Sequence, residues 1–244
     1  MSITVIRPDN RLSGDIMLIS LLSGKLDFYS ALAEVFAILL IIFIILPFHE
    51  WAHAFTAYKL GDTSIQYRGR LTLNPLAHVD PFGALALLLF GFGWAKPVPV
   101  DARNFKKPKL YMGIVALMGP VANIVAAIAG GLIFQAIATF APSFFAGQGF
   151  GYYVYLFLSY YVSINVSLAV FNLLPIPPLD GSKILFIFLP DKAVMWFYKY
   201  QQIISIILIA MLWLGVLSIP LSFLSGYVLK FVNWLTALPF SFFK

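Results

Sequence analysis

The amino-acid sequence predicts an all-α polytopic membrane protein of about six transmembrane helices, with short re-entrant or interfacial segments and a small β element at the cytoplasmic face. Three observations lead there: the composition, the length of the apolar runs and the placement of the basic residues. Of the 244 residues, 61% are hydrophobic and 11% charged, with a mean hydropathy of +0.91. A water-soluble domain devotes roughly a quarter of its residues to Asp, Glu, Lys and Arg, so lipid must be the solvent for much of this surface. The absence of cysteine excludes disulfides and thiolate metal sites and leaves His, Asp, Glu and water as donors to any metal. The net charge of +6 does not point to nucleic acid, because the bases fall in the joints between apolar runs. The expected surroundings are the lipid bilayer.

Residues 1–31 read as an N-terminal interfacial segment. Its apolar patch, 17–22, is short, is preceded by acids and bases, and lacks the small-residue cleavage site of a signal peptide. Apolar runs long enough to span follow at 32–58, 110–140, 152–174 and 203–224. The stretches 82–94 and 185–189 fall short of the roughly 20 residues a crossing helix needs, which favours re-entrant, interfacial or protein-buried placement. A last run, 227–243, is borderline because Lys230 and Asn233 interrupt it. Segments 63–73 and 95–101 read as extended pieces. Ile65, Tyr67, Leu71 and Thr72 suit strands, and Lys96-Pro97-Val98-Pro99-Val100 cannot be helical. The expected organisation is a membrane core over 32–190 followed by C-terminal transmembrane helices over 191–244.

Eight of the 16 basic residues lie between Lys59 and Lys109, whereas the joint 141–151 carries no charge. By the positive-inside rule the first region faces the cytoplasm and the second faces outward. The first helix then runs from outside to inside, with His49 and His53 in its cytoplasmic third.

His49-Glu50-Trp51-Ala52-His53 lies within that helix, and a spacing of four sets both imidazoles on one face, a turn apart, where they can grip one ion. Zinc takes nitrogen and oxygen donors in a tetrahedron, and in catalytic sites keeps one position for a water whose pKa it lowers to about 7. Glu50, beside the first imidazole, is placed to take and return a proton. A chance HExxH is the plain alternative. It is weakened here because the chain has three His and two Glu in total, and burying three of these five in one apolar turn is costly unless they coordinate something.

A third ligand is needed, and the candidates are His78, Asp80 and Asp180. Asp180 stands out as the only Asp, Glu, Lys, Arg or His between Leu110 and Ser182, with no local partner for its charge. As part of Asp180-Gly181 it also suits a bend or helix start, and the two roles are compatible. His78 and Asp80, in Asn74-Pro75-Leu76-Ala77-His78-Val79-Asp80-Pro81, read chiefly as turn residues beside a basic loop. Asn172 ends an apolar helix, where its amide either caps the backbone or donates to an oxyanion. Gly119-Pro120 with Asn123 interrupts the run 110–140, and is expected to admit a neighbouring helix or make room for the metal-binding one.

Taken together, His49-Glu50-x-x-His53, Gly119-Pro120-x-x-Asn123 and Asn172-x-x-Pro175-x-x-x-x-Asp180-Gly181 resemble the site-2 protease family of intramembrane zinc metalloproteases, peptidase family M50. The resemblance covers residues 33–189. It implies one zinc ion per chain held by His49, His53 and Asp180, with Glu50 as general base and Asn172 helping to polarise the scissile carbonyl. It implies a catalytic role for the core over 32–190, a transmembrane protein as substrate, and a prokaryotic inner membrane as location. Between and after the motifs the chain carries neither a PDZ nor a CBS domain, so it is similar to the compact prokaryotic branch. Extended edges in 63–73 or 95–101 could pair with an unwound substrate by strand addition.

Two other readings share some of these features. A membrane metalloprotease cutting soluble or juxtamembrane peptides would usually take Glu as third ligand from a later helix, but Glu34 and Glu50 are the only Glu residues. A zinc transporter or other non-proteolytic zinc protein would spread acids or His along several helices.

Overall fold

The computed structural model describes residues 2–4, 35–90, 92–145 and 149–243. Apart from Ser2–Thr4, the expected N-terminal interfacial segment lies outside these residues. Five helices are long and apolar enough to cross a membrane. They are α1 (Val35–Lys59), α3 (Pro108–Phe140), α4 (Phe150–Asn172), α6 (Asp191–Trp213) and a last helix that begins as α7 (Ser218–Ala237) and runs on as a 3₁₀ segment, Leu238–Phe243. Of two shorter helices, α2 (Pro81–Phe90) lies within the expected sub-length stretch 82–94 but for its first residue, whereas α5 (Asp180–Phe186) overlaps the stretch 185–189 only at its end.

The described residues hold five helices of crossing length, in keeping with the all-α polytopic membrane protein of about six expected for the whole chain, while the C-terminal boundaries differ from expectation. The run 203–224 is split by a turn at Gly215, whose φ of 72° lies in the left-handed region that glycine occupies without steric cost. The helix before that turn starts at Asp191, twelve residues ahead of the apolar run, because Lys192, Lys199, Gln201 and Gln202 lower the hydropathy of its first half and hide it from a reading of apolar runs.

The β element is made by different residues from those expected. Strand β1 (Ser2–Thr4) pairs antiparallel with β2 (Phe92–Trp94), Ile3 opposite Gly93, and an isolated bridge joins Val79 to Ala95. Segment 63–73 forms no strand. Asp62 accepts hydrogen bonds from both the backbone N–H and the hydroxyl of Ser64, and Ser64–Tyr67 closes as one helical turn. Residues 96–100 form no strand: Pro97 and Pro99 have no N–H to offer a ladder, and the Val100 N–H donates back to the Val98 carbonyl at 3.0 Å.

The centre of the fold is α3. Its 33 residues span about 50 Å at 1.5 Å per residue, and it packs against α1, α4, α5 and α7. Gly113, Ala116, Gly119, Ala122, Ala126, Ala127, Gly130 and Gly131 are all buried along it. Small side chains let backbones approach closely, which matters where lipid supplies no hydrophobic drive between helices. Pro120 lies within α3 without ending it.

On α1, Ile38, Leu40, Ile41, Ile45 and Leu46 form a buried cluster with Leu87, Ala95 and Leu168. Residues Ile41–Ile45 are π-helical, and Leu46 N–H donates to Ile41 O, five residues back. Pro47 follows at the start of the α-helical part. Its ring crowds the carbonyl four residues earlier and removes a donor, and a widened turn accommodates both effects. The helix α6 is the outlier: Leu208 is its one buried residue, so nearly all of its surface is left for lipid.

Candidate metal centre

Three elements converge on one buried point. His49 and His53 come from α1, where their rings stand a turn apart, centroids 4.6 Å from each other and nearly perpendicular at 81°. Asp180 is the first residue of α5, directed there by the turn that follows α4. Nε2 of His53 lies 2.9 Å from Nε2 of His49, and Asp180 Oδ2 lies 3.2 Å from the first histidine and 3.1 Å from the second. All three side chains are buried. The structure thus brings His49, His53 and Asp180 together as the candidate ligand set.

The donors suit a zinc ion on two counts. Tetrahedral donors with bonds of 2.0–2.1 Å sit about 3.3 Å from each other, and the observed separations of 2.9, 3.1 and 3.2 Å approach that triangle. Space has also been kept open beside them by Gly119 of α3. A Cβ at Gly119 would fall 2.4 Å from Nε2 of both His49 and His53, a distance no real side chain tolerates.

The outer faces of the same imidazoles are held by α3. His53 Nδ1 donates to the Val115 carbonyl at 2.7 Å, which leaves Nε2 as the nitrogen with a free lone pair. The Asn123 amide lies 3.0 Å from His49 Nδ1. On the carboxylate side, the Lys183 ammonium stands 3.6 Å from Asp180 Oδ1, one turn along α5.

Glu50 is buried beside His49 and accepts the Val98 N–H at 3.3 Å on Oε2. The segment carrying Val98 is fastened by Arg70, a buried guanidinium that donates to the carbonyls of Ala77 and Pro97. Lys96 N–H adds a bond to His78 O. Asp62, just beyond α1, ties the far end of that segment by accepting from Asp101 N–H at 2.8 Å and from the Asn104 amide at 2.7 Å.

The other candidates lie elsewhere. His78 is buried with Nε2 on the Thr72 carbonyl at 2.8 Å, and Asp80 accepts from the N–H groups of Phe82 and Gly83 at the start of α2. Neither belongs to the donor cluster. Asn172 is fully buried at the end of α4 and donates to Leu168 O, one turn back along its own helix. Among the described residues, no hydrogen bond joins it to His49, His53 or Asp180. Sequence reasoning missed Val98, Val115 and Arg70. The first two act through backbone atoms and leave no side-chain signature, and the third carried only the general signal of a base in a positive loop.

A buried His-His-Asp cluster with a carboxylate beside it, set among helices long enough to cross a membrane, could hold a metal ion, and comparison with known proteins gives the class, a zinc metalloprotease. The family model for peptidase family M50 matches residues 137–215, the stretch that contains Asn172 and Asp180. The protein named "Putative zinc metalloprotease YwhC" of Bacillus subtilis is 44% identical over 148 residues, 60% of this chain and 67% of that one. "Putative zinc metalloprotease Rip2" of Mycolicibacterium smegmatis is 36% identical over 141 residues, 54% of this chain and 49% of that one. No solved structure matches. The chain belongs to peptidase family M50, the site-2 protease family of zinc metalloproteases.

Proposed function

We propose that this chain is an intramembrane endopeptidase, hydrolysing peptide bonds in or near the transmembrane segments of other membrane proteins. The observation that carries the reading is the meeting of His49, His53 and Asp180 at one buried point between membrane-crossing helices, with the Glu50 carboxylate adjacent. A zinc ion held by these three would act as a Lewis acid, polarising the scissile carbonyl and acidifying a water.

The chain's own residues supply the rest. Glu50 takes the proton of the attacking water and delivers it to the leaving amine, and the Val98 N–H on Oε2 fixes the direction in which the carboxylate faces. Asp180 and the two imidazoles are held from outside by Lys183, Val115 and Asn123, so little reorganisation accompanies reaction. Asn172 donates one amide hydrogen to Leu168 O; its second is assigned to the substrate carbonyl as negative charge develops there. The 96–100 segment, next to Glu50, is where an unwound substrate backbone would lie.

The two histidine donors sit in the C-terminal half of α1, next to the loop region that carries eight of the 16 basic residues. By the positive-inside rule this supports a reaction toward the cytoplasmic side of a prokaryotic inner membrane, where water has the shorter route. The test is zinc content together with cleavage of a model transmembrane substrate in proteoliposomes, for wild type and Glu50→Gln. The proposal expects one zinc in both proteins and cleavage only by the first. Equal cleavage by both removes Glu50 from the chemistry. Cleavage confined to water-soluble peptides supports the juxtamembrane protease instead, and zinc binding without any cleavage supports a non-proteolytic role.

A further inference from the structure

The inference concerns Asn123 and rests on His49, His53 and Asp180 being the zinc ligands. Asn123 is fully buried in α3. Its Nδ2 faces His49 Nδ1 at 3.0 Å, and its Oδ1 is buried with no hydrogen-bond partner. An orphaned amide oxygen within an apolar helix bundle is costly.

The same contact raises a second difficulty. An amide N–H directed at Nδ1 requires a lone pair on that nitrogen, which puts the ring proton on Nε2. Yet Nε2 is the atom that faces His53 Nε2 and Asp180 Oδ2, and a protonated nitrogen cannot ligate. His53 has the opposite arrangement, with Nδ1–H on the Val115 carbonyl and Nε2 free to donate its electrons.

The oxygen and NH₂ of an amide have nearly the same shape, and a half-turn about the last side-chain bond exchanges them. With Oδ1 toward the ring, His49 Nδ1–H donates to it, the orphaned oxygen gains its partner, and Nε2 carries a lone pair toward the other donors. The rotation resolves the tautomer conflict and moves the NH₂ to the position the unpartnered oxygen held. We propose that Asn123 is the positioning residue that sets the His49 tautomer, by accepting the Nδ1 proton on its side-chain oxygen so that Nε2 binds zinc. Both imidazoles are then oriented from α3, one by a backbone carbonyl and one by a side-chain carbonyl.

The test measures zinc dissociation constants by chelator competition on the full chain in detergent, with melting temperatures of the metal-free and zinc-loaded forms. Asn123→Leu keeps the shape but has no acceptor, and is expected to weaken zinc by about 10- to 100-fold while the metal-free melting temperature stays near wild type. Asn123→Asp is acceptor-only and recreates a carboxylate–histidine–zinc arrangement, so it should bind zinc at least as tightly as wild type. The proposal is overturned if Asn123→Leu binds zinc normally, or if Asn123→Asp loses zinc as severely as Asn123→Leu. His49→Ala and Asp180→Ala serve as the separate check. If they bind zinc like wild type, the ligand assignment itself is wrong, whatever the Asn123 variants do.

Discussion

Replacing Gly119 with alanine adds one methyl group at a place where the structure has no room for it. The new Cβ would stand 2.4 Å from His49 Nε2, 2.4 Å from His53 Nε2 and 2.5 Å from His53 Cε1. Ordinary carbon–nitrogen contact begins near 3.4 Å, so the rings or α3 must separate by about 1 Å, whereas metal bond lengths tolerate about 0.2 Å. Neither ring has an easy retreat, since each is held on its outer side by α3 itself. Loss of zinc affinity should exceed the roughly 100-fold that follows from losing an outer hydrogen bond.

Two opposing terms act on stability. Alanine is about 1 kcal/mol more favourable than glycine within a helix, and overpacking costs about 1–3 kcal/mol. The metal-free variant should therefore melt near wild type while failing to bind zinc. Zinc per chain by elemental analysis, with chelator competition and thermal melts in detergent, reads both quantities. Gly226→Ala is the control, because nothing lies within 4 Å of its added Cβ, and it should bind zinc fully. A Gly119→Ala protein that keeps one zinc at wild-type affinity refutes the reasoning.

Four further outcomes are expected. Asp180→Asn should lower zinc affinity strongly, as a neutral amide replaces the one anionic donor, and elemental analysis after dialysis against a weak chelator would detect it. Val98→Pro deletes the N–H that Glu50 accepts; kcat should fall by about 10-fold with zinc content unchanged, whereas Val98→Ala should behave as wild type. Arg70→Leu should release the carbonyls of Ala77 and Pro97, lowering kcat in the same way and exposing 96–100 to faster hydrogen exchange. Burial raises the pKa of Asp62, but the hydrogen bonds from Ser64, Asp101 and Asn104 outweigh it and hold the carboxyl below its ordinary value. A depressed folded-state pKa means stabilisation that is complete above the unfolded value of about 3.9 and lost as pH falls through the folded one. Asp62→Asn should thus cost about 1–3 kcal/mol at pH 7, and the gap in melting temperature from wild type should close below about pH 4.

The meeting of His49, His53 and Asp180 at one point was legible in the sequence for two separate reasons. His49 and His53 announce themselves by helical spacing, and Asp180 by being the only ionisable side chain of its kinds across more than seventy residues. The five long helices were legible because lipid demands continuous apolar runs, except where Gly215 cut one run and polar residues masked the start of α6. The small sheet was not, because Ser2–Thr4 meets Phe92–Trp94 across some ninety residues of chain, and no local pattern encodes such a pairing. Ile65 and Tyr67 suggested a strand by type, but the carboxylate of Asp62 organised that segment as a turn. The contacts at Val98 and Val115 were invisible for a simpler reason: any non-proline residue offers the same N–H, and every residue the same carbonyl.

His49 and Asp180 are separated by 131 positions along the chain, and α3, which shapes the pocket, lies between them. No contiguous fragment emerging early in synthesis contains the complete donor set. On the proposed ligand set, a copy still lacking α5 cannot complete the site, so activity would wait until the last contributor has inserted and docked. A metal held there would staple the beginning of the core to its end, and its removal should loosen the contact between α1 and α5.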